Sequence, residues 1–178
     1  MQPFQNFSCH KKNKIMRPLF LILTIIAICI SCRKPNVQTG GNLEIYLFKT
    51  FQLVSGKCQV NGDSSVLKDT AIVKNNEILF YSRANYQFTL TDNSIQKIRA
   101  LHSGIPFAIV IDKQVIYYGI IKTITSSSSC TSSITMNYSL GDNKITMNLG
   151  FAGTDLNIDD QRNNSKLIAT LKNQGKLK

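Results

Sequence analysis

The sequence is poor in the residues on which catalysis usually rests. It holds two histidines, and His102 is the one that lies beyond the N-terminal forty residues. No Gly-x-Ser-x-Gly elbow occurs, so the run Ser126–Ser129 has no frame to activate a nucleophile and reads as a solvated loop. Cys58, Cys130 and His102 fall at no short metal-ligand spacing. Glu44 and Asp112 stand apart in sequence and form no acid/base pair. Asp155, Asn157 and Asp159 match the first, third and fifth positions of a calcium loop. The sixth position is Asp160 where glycine is required and the twelfth is Lys166 where glutamate is required, so that motif fails. The sequence therefore offers no catalytic residue, no metal site and no cofactor motif.

A membrane-spanning length of apolar residues is missing as well. The longest strongly apolar run, LFLILTIIAICI from Leu19 to Ile30, is well short of the roughly 20 residues a spanning helix needs. It fits the apolar core of a signal peptide. Lys11, Lys12, Lys14 and Arg17 supply the positive flank ahead of it. The run ends at Ser31-Cys32, a small residue directly before a cysteine. This resembles a bacterial lipobox, which implies cleavage before Cys32 and lipidation of its sulfur. Cys29 occupies the third position before Cys32, where that pattern prefers leucine, and the bulky Ile28 makes Cys29 itself the poorer acceptor. A plain signal peptide or a short uncleaved anchor is the alternative, and Met16 followed by Arg17 offers a second start. Residues 1–31 are read as leader, 32–42 as a flexible tether and 43–178 as one domain.

Clustered charge is the third absence. The formal charge is +11, and four of the positive residues lie in the leader, which leaves +7. Beyond the leader these charges occur singly or in pairs, with no interleaved aromatic stripe, so nucleic acid is not an expected partner. A basic surface of this kind suits proximity to anionic lipid head groups.

Five cysteines are present. Export would consume or remove three, leaving Cys58 and Cys130 as a pair in an oxidising compartment. A bridge between them closes a loop worth about 4 kcal/mol in the chain-entropy model.

The apolar periodicity beyond the tether predicts short strands at 43–51, 71–73, 78–82 and 86–90, the last with Tyr86, Phe88 and Leu90 on one face. A helix follows, capped by Thr91 or Asp92 and carrying Ile95, Ile98 and Leu101. The runs 107–111 and 115–118 are too short for helices and form a hairpin about 112-DKQ-114. Two strands fit 134–140 and 144–151. A terminal helix carries Leu167, Ile168 and Leu171, with Asp159 or Asp160 at its start and Gly175 beyond its end. The expected fold class is α+β, with a largely antiparallel sheet of about seven short strands and both helices packed on one face.

This order of parts resembles the first periplasmic domain of the Sec translocon subunit SecD. The run 86-YQFTLTDNSIQKIRALHSGIPFAIVIDKQVIYYGII-121 is similar to its strand, helix and "Ala-Ile-Val-hydrophobic-Asp-Gly" hairpin, and 167-LIATLKNQGKL-177 is similar to its close. Lys113 stands where that pattern has a turn glycine. The chain also resembles a group of small uncharacterised lipoproteins from Bacteroidota over most of residues 43–177. The shared parts are Leu43–Leu47, Ile116–Gly119, Ser126–Cys130 and the element at 149–153. Both resemblances imply an envelope domain, the second a lipid-anchored one. Neither implies an activity.

Two function classes are carried forward. One is a lipid-anchored binding or structural module, facing the periplasm from the outer membrane, that contacts polypeptides or envelope components through a sheet edge or through Tyr117 and Tyr118, read as exposed aromatics. The other is a divergent periplasmic enzyme such as a hydrolase.

Overall fold

The computed structural model describes residues 40–123, 125–153 and 156–178. The expected signal peptide, the lipidation site Cys32 and residues 33–39 of the tether lie outside the described residues. The strands are β1 (Leu43–Thr50), β2 (Val66–Leu67), β3 (Ile78–Ser82), β4 (Gln87–Leu90), β5 (Pro106–Ile111), β6 (Gln114–Ile121), β7 (Cys130–Tyr138) and β8 (Lys144–Phe151). The helices are α1 (Asp92–Arg99) and α2 (Ser165–Asn173).

All eight strands join one sheet in the order β2-β1-β5-β6-β7-β8-β4-β3. Every junction is antiparallel except β6–β7. The protein is thus α+β with a largely antiparallel sheet, as its periodicity predicts. The strand count is eight rather than about seven. Val66–Leu67, between the strands expected at 43–51 and 71–73, pairs with the end of β1. The segment 71–73 contributes a single bridge, Ile45 to Val73, instead of a strand.

β5 shows why the sheet needs cover on both sides. All six of its residues are buried. Phe107, Ile109 and Ile111 enter one apolar cluster, and Ala108 and Val110 enter another. Side chains two apart share a face of a strand, so the two clusters lie on opposite faces. The larger cluster lies beneath the helices. α1 gives it Ile95 and Ile98, and α2 gives it Leu167 and Leu171, residues three and four apart that share a stripe on a helix. The smaller cluster gathers Phe48, Val60, Val110, Ile120 and Cys130 under the 52–65 loop.

The caps follow the sequence for α1, where Thr91 is the N-cap. For α2 they do not. Asn164 caps it, accepting from the Lys166 amide at 3.0 Å. Asp160 is unavailable because both its oxygens are held by the Arg162 guanidinium at 2.8 Å. Asp159 accepts from the Gln161 side chain. Helix capping therefore passes to the next residue that has a free short acceptor.

The β5–β6 hairpin turns on Asp112 and Lys113, both in the left-handed region at φ 50° and 65°, while Ile111 and Gln114 close the ladder. That is the two-residue turn whose hand matches twisted strands, normally built with Asn-Gly or Asp-Gly. Asp112 also anchors the start of β1, since its Oδ1 accepts from the Asn42 amide at 2.7 Å.

Two stability outcomes are expected from urea denaturation. Val110→Asp places an unpaired charge between sheet and loop, and should cost several kcal/mol, of the order of 4. Lys113→Gly relieves a left-handed non-glycine residue and should be neutral or stabilising by up to about 1 kcal/mol. A marked loss in Lys113→Gly would contradict the turn.

Candidate functional site

The sheet has one parallel junction, and the site lies there. β6 and β7 run parallel and pair over only three positions, Gly119, Ile120 and Ile121 against Ile134, Thr135 and Met136. Below that ladder β7 departs from its neighbours. Between its pairings with β8 it spans Cys130 to Ile134, whereas β8 spans only Phe151 to Leu149. The surplus residues bulge, and bulges re-aim side chains where a ladder stops. Gly150 permits this by adopting φ 72°. A Cβ there would lie 2.9 Å from the Cys130 carbonyl oxygen. The Gly150 carbonyl accepts from Thr135 Oγ1 at 2.7 Å.

The opening left between β6 and β7 is a cleft of about 250 Å³. Tyr117, from the larger cluster, and Val60, from the smaller, both line it, so it reaches between the two faces of the sheet. Its polar lining includes Ser132, Ser133, Asn157 and Gln161. Among the described residues Asp159 is the one carboxylate that lines it, and no lysine, arginine or histidine does.

One wall is covalently fixed. Cys58 and Cys130 form a disulfide with Cα atoms 5.5 Å apart and 72 positions between them. The residues after Cys58, Gln59 and Val60, line the cleft, and Cys130 starts the bulged strand. The bridge therefore ties the cleft's loop wall to its strand wall.

The two tyrosines are placed differently from expectation. Tyr117 is buried, at 5% exposure, and Tyr118 is half-buried, so neither is an exposed aromatic. The reason is strand alternation. Tyr117 points into the larger core, and Tyr118 packs on Phe48 with ring centroids 5.8 Å apart. Both border the cleft. Burial pushes the Tyr117 hydroxyl's pKa well above the usual value. Among the described residues that hydroxyl has no hydrogen-bond partner.

A second feature was not visible in the sequence. Lys122 is buried, and its amine lies 2.8 Å from Ser128 Oγ and 2.9 Å from the Ser128 carbonyl oxygen. It also sits 5.9 Å from the centre of the Phe151 ring. Burial lowers its pKa. Ser128 lines neither the cleft nor the larger apolar groove of about 460 Å³ at the other end of β1, which runs past Phe51, Leu101 and Ile105. His102 is exposed, and among the described residues no three His, Cys, Asp or Glu side chains gather as metal ligands. Asp155, the first of the rejected calcium positions, lies outside the described residues. No described helix is long and apolar enough to cross a membrane.

Removing the bridge with Cys58→Ala and Cys130→Ala together should lower unfolding free energy by about 4 kcal/mol. Amide exchange should rise at Gln59 and Val60 well before it rises in β5. Uniform loss of protection would show that the bridge holds more than this wall. Comparison with protein-family models, curated proteins and solved structures finds no match to this chain.

Proposed function

We propose that this protein is an exported, lipid-anchored binding module of the bacterial envelope, held by acyl chains on Cys32 in the outer membrane and facing the periplasm. The cleft carries the reading. It is a concave site with several converging neutral polar groups, and it has no paired acid and base. The disulfide that fixes its wall suits an oxidising compartment, in keeping with the leader and the Ser31-Cys32 junction. The likeness to the SecD domain rests on the sequence runs 86–121 and 167–177 alone, and no translocation role follows from it.

The anchor is tested by mass spectrometry of the mature N-terminus, where acylated Cys32 is expected, and by fractionation of Cys32→Ala. That variant should leave the membrane for the soluble periplasmic fraction, because several acyl chains hold firmly where none holds at all. An unmodified Cys32 would end this reading.

One observation favours the second reading, a hydrolase. A lysine with a lowered pKa, 2.8 Å from a serine hydroxyl, has the geometry of a base beside a nucleophile. The same amine is shared with the Ser128 carbonyl and the pair opens into neither cavity, which fits a loop fastening better. A fluorophosphonate probe should leave Ser128 unlabelled. Labelling that disappears in Ser128→Ala would establish the enzyme instead.

A further inference from the structure

We infer that the β6–β7 cleft binds one small, neutral, polyhydroxylated unit of the size of a single sugar ring. This deepens the binding-module reading and rests on it. Size comes first. The cleft's 250 Å³ is below the roughly 300–1,000 Å³ typical of drug-sized sites, and at about 30 Å³ per water it holds about eight. The occupant is therefore compact.

Charge comes next. On a chain with a surplus of bases, no cation among the described residues lines the cleft, so a phosphate or carboxylate finds no counter-charge from them. The one carboxylate, on exposed Asp159, already accepts from Gln161, which leaves little to draw an amine. What remains is a set of uncharged donors and acceptors. Gln59 and Asn157 each carry an amide oxygen and an amide nitrogen and Ser133 carries a hydroxyl, while the Gln161 amide is already held by Asp159 and Asn164. Groups that both donate and accept match a ligand whose hydroxyls do the same.

Two further features sharpen the class. The Tyr118 ring is held against Phe48 and lies directly over Gly62, where a Cβ would come 2.8 Å from Cε2. It is a fixed aromatic surface at the border of the cleft, suited to the C–H face of a sugar ring. The Tyr117 hydroxyl, buried and without a partner among the described residues, presents no surface to the cleft, so the polar contacts to an occupant fall to Gln59, Asn157 and Ser133.

Two substitutions separate these roles. Asn157→Ala removes an exposed amide from the cleft and should weaken ligand binding at least tenfold with stability unchanged. Tyr117→Phe removes an unpaired hydroxyl from the core, so it should leave the free protein as stable as wild type or more so and leave binding unchanged. The full chain, purified in detergent, is titrated with N-acetyl-D-glucosamine and with its β-1,4-linked trimer, with binding read by thermal shift and by amide chemical shifts at Val115–Tyr118. Saturable changes there are expected with either sugar, and tighter binding of the trimer would point to the end of a glycan rather than a free sugar. Ser133→Val is the second cleft variant and should also lose affinity while staying folded. Inorganic phosphate and choline serve as anionic and cationic probes. Binding of either in place of the sugars overturns the inference, as do folded Asn157→Ala and Ser133→Val proteins that bind sugar like wild type. Absence of sugar binding also overturns it, while an acylated Cys32 and an unlabelled Ser128 would leave the binding-module reading standing.

Discussion

The structure depends on an unusually short parallel connection. β6 ends at Ile121, opposite Met136, and β7 starts at Cys130. The eight residues between them must run back about 20 Å, six residues of strand rise, before the chain can lie parallel to its neighbour. Such crossovers normally take a dozen or more residues and a helix. This one has neither. The available length lets β7 meet β6 for three positions only, and the bulge, the splay and the cleft all follow.

The devices around the connection compensate for what it lacks. A helical crossover would cover its face of the sheet with apolar side chains. Here the cover comes from the 52–65 loop, which has little apolar content and is tied down by the Cys58–Cys130 bridge. Inside the connection, Lys122 takes the place of a hydrophobic anchor. Its amine sits over the Phe151 ring and fastens the Ser128 backbone, and burial of that amine is tolerable because two oxygens receive it. The larger cluster needs no such help, since two helices supply four wholly buried aliphatic side chains to it.

What the sequence made legible were the parts governed by local period. Alternation in 43–51 and 107–111 and the three-and-four spacing in α1 and α2 declared their elements, and the apolar density of 107–111 declared the fully buried strand. The disulfide was legible by elimination once export was inferred. The cleft was not, because it is created by pairing between segments far apart in the chain, and neither the register of β6 on β7 nor the bulge after Cys130 leaves a local signature. The exposure of Tyr117 and Tyr118 was misread for a related reason. In a hairpin buried on both faces, alternation distinguishes one core from another rather than core from solvent. The Asp159/Asp160 cap failed because the helix starts only at Ser165, beyond the reach of both carboxylates, which instead fasten the approach through Gln161 and Arg162.

The sheet's edges decide where a partner can be met. An open edge strand would accept an added strand from another polypeptide. β3 has no such edge. Tyr81 and Arg83 donate to the carbonyls of Lys176 and Lys178, and the Lys178 amide returns to Tyr81, so the chain's own terminus occupies it as a parallel partner. At the other margin β2 is two residues long, and past it the upper half of β1 is met by Ile72 and Val73. A strand-adding peptide would have to displace one of these. The junction of β6 and β7 is different in kind, since it is a gap inside the sheet bounded by fixed walls and already open. Recognition at that gap requires no part of the fold to be undone, which is the physical reason to place function there and not at the margins.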